Sequence, residues 1–259
     1  MENSLLIGLS RQVALQRELD VVANNVANLN TTGYKGDSTL FEEYLMPVAR
    51  EDNFPASDRR ISFVQDRATW IDMRQGPVDQ TGNPLDVAIE GNNGNAFLVV
   101  QTARGERYTR AGSLQINAAG ELVTLSGDQV LGTNGPIVFQ GQDAAIAISG
   151  DGTISARDGG NANADALRGK LRLVSFDQPQ LLQKDGDTTF AAPDDTDAQA
   201  APRSVHVVQG MIEKSNVNAV LEMTRMVEIS RTYSAIAGLI TSQGQLRKTA
   251  IQQLAEIPS

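Results

Sequence analysis

Apolar residues recur at every third or fourth position near both ends of the chain. Between residues 218 and 254 they are Ala219, Met223, Met226, Tyr233, Ala237, Ile240, Ile251 and Leu254, with Ser230, Gly244 and Arg247 interrupting the stripe. That spacing predicts one long amphipathic helix, because residues three and four apart share a face. Near the start Leu15, Leu19, Val22, Val26 and Leu29 repeat the pattern, and Leu6, Leu9 and Val13 carry it upstream with a two-residue phase shift. A second seam-forming helix is expected there. Asn3 or Ser4 can cap its opening turn. Its end is marked by a dense run of Asn and Thr from Asn24 to Thr32, poor helix formers, before Gly33, which tolerates the left-handed conformation. Ser215 or Asn216 can cap the final helix, and Pro258 closes it.

Between the helices the apolar period changes. Short runs at 85–89, 96–101, 107–110, 113–116, 122–124, 137–139, 145–148, 153–155 and 171–176 read as strands, most of them bounded by Gly, Asn or Asp. Asn134-Gly135 and Asp151-Gly152 suit turns that need positive φ. Residues 157–165 read as a loop of Gly, Asn and Asp, 193–202 as an acidic exposed connector, and 205–208 as a strand leading back to the final helix. Residues 34–76 are less regular. Phe41, Tyr44 and Leu45 share a helical face, giving a short helix or an extended arm, and residues 50–60 form a polar loop with Pro55. Runs 61–64 and 69–73 suggest two strands of a projecting hairpin, with Trp70, the only tryptophan, as a core or interface anchor. The fold class is α+β. Residues 1–34 with 212–259 form a coiled-coil-like helical domain, 35–76 an arm or hairpin linker, and 77–211 an inserted all-β outer domain of short antiparallel strands.

Composition adds mainly exclusions. Lys and Arg number 22 against 31 Asp and Glu, a net charge of -9 that disfavours broad attraction to nucleic acid or an anionic membrane. Aromatic residues make up 5% of the chain and glycine is frequent, so the core is mostly aliphatic and the turns are tight. The absence of cysteine removes disulfides, thiolate nucleophiles and thiolate metal ligands. No apolar run reaches the length of a membrane span, and residues 5–9 are too short, and lack the basic flank, for a cleaved secretory signal. His206, the only histidine, lies in the strand pattern Val205-His206-Val207-Val208, and no G-x-S-x-G elbow surrounds a serine. Gly91-Asn92-Asn93-Gly94-Asn95 joins two strands without a following Lys-Ser/Thr and reads as a turn rather than a phosphate loop. Asp194, Asp195 and Asp197 lack the spacing and the closing Glu of a calcium loop. No catalytic residue, cofactor or metal is expected.

What remains is a signal for association. The candidate interface residues are Leu9, Val13, Leu15, Leu19, Val22, Val26 and Leu29 on the first helix with Asn25 and Asn28 near its end, and Met223, Met226, Tyr233 and Ile240 on the last. These seams can close on each other in one chain or form a bundle shared among chains. The two methionines suit a surface that adapts to non-identical neighbours. Gly238 and Gly244 each cost about 1 kcal/mol relative to Ala in a helix, which close approach of a neighbouring backbone could offset.

At both ends and in the middle these residues resemble a known family. Leu19-Asp20-Val21-Val22-Ala23-Asn24-Asn25-Val26-Ala27-Asn28-Leu29-Asn30-Thr31-Thr32-Gly33-Tyr34-Lys35 is similar to the amino-terminal signature of bacterial flagellar rod and hook proteins. Gln209-Gly210-Met211-Ile212-Glu213-Lys214-Ser215-Asn216-Val217-Asn218, then Glu222-Met223 and Arg231-Thr232-Tyr233, resembles the family's carboxy-terminal signature. Asn83 to Ile89, Tyr108 to Ser113, Val130-Leu131-Gly132 and Gly135-Pro136-Ile137 match between them. Val100-Gln101-Thr102, the stretch from Asp151 to Ala156 and the overall length look most like the proximal-rod members, with the distal-rod members next. The run from Gly91 to Phe97 departs from the family's shorter, more aromatic turn. The resemblance implies a structural subunit exported by the flagellar type III apparatus and assembled helically, with other rod subunits and with itself, into a torque-transmitting shaft in the periplasm. It also implies terminal segments that fold into coiled-coil-like helices on assembly.

Overall fold

The computed structural model describes residues 2–47, 60–91, 94–158, 165–186, 188–193 and 196–255. Most of the loop expected at 50–60, the centre of that at 157–165, and Asn92, Asn93, Asp194, Asp195 and Pro258 lie outside the described residues. Long helices stand at both ends of a run of short strands, the α+β class the apolar periods predict. The chain divides into a helical unit, Met1–Val26 with Asp37–Trp70 and Asn218–Ser259, and a β unit, Ala27–Gly36 with Ile71–Val217.

In the helical unit, α1 runs Glu2–Ala27 and α2 runs Ala219–Ala255. The two are antiparallel. Gly8 lies against Ile240, Gln12 Nε2 donates to Tyr233 Oη at 3.0 Å, Arg225 sits 3.7 Å from Glu18, and Asn25 Nδ2 donates to Glu222 Oε2 at 3.3 Å. Asn218 caps α2: its Oδ1 accepts from the amides of Val220 at 3.1 Å and Leu221 at 3.2 Å, satisfying two free donors of the first turn. This corrects the expected caps Ser215 and Asn216. Asn216 is held by backbone groups of residues 36, 72 and 74, and Ser215 accepts from the Val217 amide, so the helix starts only at the next free Asn. At the end of α1 the Asn/Thr run acts as expected. Thr31 N donates to Asn28 O at 3.2 Å and its hydroxyl to Asn28 Oδ1 at 3.0 Å, and Gly33 takes φ 70°.

Residues 41–45 lie in a strand, not a helix. Strand Asp37–Pro47 pairs with strand Arg60–Ile71 in a two-stranded ribbon. The second strand is continuous across the two runs expected to form their own hairpin. No Gly, Pro or Asn occurs in residues 60–71, so nothing forces a turn into their polar middle.

The β unit is built on strand Ala96–Thr102, whose first five residues are completely buried. Alternation sends Phe97 and Val99 to one face and Ala96, Leu98 and Val100 to the other, so one strand supplies two cores. On the first face Phe97 packs edge-to-face with Phe176 and Phe190, centroids 5.8 Å apart in both pairs, and Tyr108 meets Phe176 at 4.8 Å. The second core is aliphatic, with Ile89, Leu122, Val130, Ile137, Ile154 and Val207. The strand belongs to a ten-stranded sheet in which Gly105–Thr109, Gln129–Gly132 and Leu173–Ser175 all pair antiparallel to it. A three-stranded sheet, Asp143–Ile148, Thr153–Asp158 and Asp165–Lys170, stands apart in the ladder pattern. Two small ladders return the chain: His206–Gln209 pairs with Val87–Glu90, and Met211–Glu213 with Val78–Gln80. Gly112 comes so close to Val87 that a Cβ there would lie 1.7 Å from the Val87 carbonyl oxygen.

The strand Asp143–Ile148 carries a bulge between Ala144 and Ile146, with Ala145 at φ 47°. The side-chain amide of Gln209 serves two backbone groups of this strand. Its Nε2 donates to Ile146 O at 2.9 Å, and its Oε1 accepts from Ile148 N at 3.2 Å.

Candidate functional site

Two places draw on the terminal motifs: the faces of the helical hairpin, and the crossing in the β unit where the segment after α1 meets the strand before α2.

On α2 the half-buried or buried side is Ala219, Glu222, Met226, Ile229, Tyr233, Ile236 and Ile240, a three-and-four repeat turned toward α1. Ile229 and Ile236 belong to it but were not in the stripe read from sequence; the signal was present in their spacing from Met226 and Tyr233. On α1 Ala14, Val22 and Asn25 are buried and Leu15, Leu19 and Val26 half-buried; the helix ends at Ala27, so Asn28 and Leu29, expected on it, lie half-buried in the turn that follows. Leu9, Val13 and Met223 face outward, 49%, 63% and 52% exposed. They are accompanied by Leu6, Val220, Leu221, Val227, Leu239, Leu246 and Ile251, all exposed. The candidate residues therefore fall into two sets: Val22, Met226, Tyr233 and Ile240 belong to the seam inside the hairpin, while Leu9, Val13 and Met223 lie on its outer surface. Trp70 is also exposed. Asn25 is fixed within the hairpin, its Oδ1 accepting from Asp37 N at 2.9 Å and its Nδ2 donating to Asp37 O at 2.8 Å, as a peptide group would in a strand.

The crossing is a buried charge cluster that sequence patterning did not reveal. Lys35 and Arg110 flank Glu213, and all three are within 2% of full burial. Lys35 Nζ donates to Glu213 Oε1 and to the Arg74 carbonyl, both at 2.6 Å. Arg110 donates to Glu213 Oε2 through Nε at 2.8 Å and through Nη2. Gly76 N adds a third kind of donor to the carboxylate at 3.0 Å. The remaining Arg110 donors reach Ala96 O at 2.7 Å and Ile89 O at 3.1 Å. Burial works to raise the Glu213 carboxyl, but the Arg110 and Lys35 charges outweigh it and hold the group below its ordinary range. Burial pushes the Lys35 ammonium down against the attraction of Glu213, and Arg110 adds to the lowering. Around this centre Gly33 N donates to Glu213 O at 2.8 Å, Gly36 N to Asn216 Oδ1 at 2.8 Å, and Asn216 Nδ2 to Asp72 O at 2.7 Å. The only hint in the sequence is that each charged member lies inside a quoted motif.

His206 is exposed at the start of its strand, with Nε2 3.1 Å from Glu90. It borders a groove of about 830 Å³ whose Lys170 and Arg172 are engaged by Asp151 and Glu106. Among the described residues no group of three His, Cys, Asp or Glu is placed to hold a metal ion. Among them, no helix is long and apolar enough to cross a membrane.

Paired terminal helices with an outward apolar face, and a separate β unit holding a buried charge cluster, are the features of a structural subunit. Three family models match the chain: a flagellar basal body rod protein model over residues 5–35, a flagellar hook protein FlgE/F/G D1 domain model over 88–156, and a flagellar basal body rod FlgEFG carboxy-terminal model over 208–253. The flagellar basal-body rod protein FlgF of Caulobacter vibrioides is 38% identical over 266 residues, covering 99% of this chain and 100% of that protein. FlgF of Mesorhizobium japonicum is 32% identical with 98% of each chain covered, and the rod protein FlgG of Agrobacterium fabrum is 32% identical over 97% of this chain and 99% of its own. The chain belongs to the flagellar basal-body rod protein family, and is a structural subunit of the flagellar axial rod and hook class rather than an enzyme.

Proposed function

We propose that this chain is a proximal-rod subunit of the FlgF type. It assembles helically with copies of itself and with other rod subunits, forming part of the drive shaft that carries torque across the periplasm. It reaches that place through the flagellar export apparatus, and its terminal helices serve as the assembly domain. One observation carries the reading: the helical hairpin satisfies its inner seam within the chain and still exposes Leu6, Leu9, Val13, Val220, Met223 and Val227. Apolar surface of this extent gains free energy only when another surface covers it. The contacts are heterologous, as an open helical polymer requires. Higher identity to an FlgF than to an FlgG over nearly the whole chain supports the proximal assignment.

The test is a set of outward substitutions. Leu9→Asp, Val13→Asp and Met223→Asp should leave the β unit folded and the chain exportable, yet prevent its incorporation into basal bodies and abolish swimming. Wild-type motility in all three would refute assembly through this face. Quantifying the protein along purified rods decides between a proximal position and the distal-rod or hook-type alternative.

A further inference from the structure

The ladder between Met211–Glu213 and Val78–Gln80 is only three residues long, with Ile212 opposite Asp79 and Glu213 opposite Val78. A pairing this short is weakly specified. Apolar patterning cannot correct it, because a two-residue slip keeps every side chain on its original face. Such a slip would bring Met211 or Ser215 to the place of Glu213. Lys35 and Arg110, both buried, would then face each other with no carboxylate between them. Breaking a buried ion set in this way is strongly unfavourable, although the intact set contributes little net stability.

From this we infer that the Lys35–Glu213–Arg110 cluster is a register pin: its role is to reject slipped pairings of the last strand before α2. The cluster is suited to the task because its three members come from separate parts of the chain. Lys35 follows α1, Arg110 follows the strand Gly105–Thr109, and Glu213 ends the last strand before α2. The surplus of one positive charge makes the arrangement intolerant of losing its only carboxylate. Two residues of a helix correspond to about 200° of rotation, so a slipped strand would present a different face of α2 wherever the root of the helix is held. This last consequence rests on the proposed assembly role; the pin itself does not.

The chain has no native cysteine, which makes disulfide trapping a clean readout of register. The cysteine pair Asp79→Cys with Ile212→Cys reports the observed register, and Asp79→Cys with Lys214→Cys reports the slipped one. In the full-length chain with the cluster intact, only the first pair should close. Moving the carboxylate by two residues, with Glu213→Met and Ser215→Glu together, should make the second pair close in preference. The charge-free variant Lys35→Met/Arg110→Leu/Glu213→Met should close both, and it decides the matter if the moved-carboxylate variant does not fold. If every folded variant closes only the first pair, the pin is overturned. A register-shifted chain that still restores swimming supports the pin and counts against assembly through α2, so the two ideas fail separately.

Discussion

The two units handle opposite kinds of side chain in opposite ways. In the β unit Phe97, Leu98, Val99 and Val100 are completely hidden, and so are a lysine, an arginine and a glutamate bonded to one another and to backbone carbonyls and amides. In the helical unit Val220 is 73% exposed and Leu246 70% exposed, while the polar Asn25 is buried beside the apolar seam of Val22 and Ile229. The first unit hides two apolar cores and a charged set bonded within itself, although Leu125 and Leu167 on its surface stay exposed. The second carries a run of exposed apolar residues along both of its helices. Buried charge and exposed apolar helix surface are thus concentrated in different parts of one polypeptide, and the helix surface belongs to the part the family's terminal motifs build.

Experiments can press on that division, beginning with the largest effect. Phe97→Ala removes the ring shared by both edge-to-face contacts and should cost roughly 3–5 kcal/mol. A lowered thermal midpoint of β-structure, read by circular dichroism, is the expected sign; a small loss would mean this core is less integral than its burial suggests. In the other unit Asn25→Ala removes three hydrogen bonds, two of them to the Asp37 backbone. A cost of about 1–3 kcal/mol is expected, visible as faster amide exchange near Asp37 while the β core stays protected.

Gly238 and Gly244 have nothing of their own chain within 4 Å of where a Cβ would be. Replacing either with Ala should therefore stabilise α2 by about 1 kcal/mol, seen as raised helicity of the isolated chain. If the same change blocks assembly, the glycines admit a neighbour's backbone, and the boundary between what the chain satisfies alone and what it leaves to others is located to a residue.

The smallest effect is a pH dependence. Glu213, Arg110 and Asp72 are the charged groups acting on Lys35, and burial leaves its folded pKa below the usual 10.5. Between the folded and unfolded values the unfolded chain binds the extra proton, so stability should rise with pH through that window. Lys35→Met should flatten the rise. Glu213 behaves in the opposite range: its carboxyl, held low, contributes stability that is lost as pH falls below 4.5 toward its folded value. Denaturant titrations at stepped pH check both directions.

Much of the fold was legible because periodicity reports burial. The long helices, the run of short strands and the turns at Asp151-Gly152 and Gly33 all follow from spacing and from residues that tolerate positive φ. The ribbon from Asp37 was harder to read, since Phe41, Tyr44 and Leu45 fit a helical face as well as a strand and only pairing with a distant segment decides between them. The cap at Asn218 was missed because Ser215, Asn216 and Asn218 are equally good candidates in isolation, and Asn216 is claimed by carbonyls far away in sequence. The charge cluster was hidden for the same reason. Lys35 and Glu213 are 178 positions apart, and a charged residue near a loop reads as solvated until its partner is known.

One amide in the carboxy-terminal motif would matter in the proposed assembly, where copies of the chain lie side by side. An unprotected strand edge invites the same edge of the next copy, and crowding multiplies the opportunities. Strand Asp143–Ile148 offers such an edge, and Gln209 occupies it, taking the Ile146 carbonyl and the Ile148 amide that a visiting strand would need. The bulge at Ala145 spoils the straightness of the same edge. The side chain thereby blocks edge-to-edge pairing of this strand. Gln209→Leu would withdraw it, and concentration-dependent sedimentation with growing β-structure is the sign that the guard is gone.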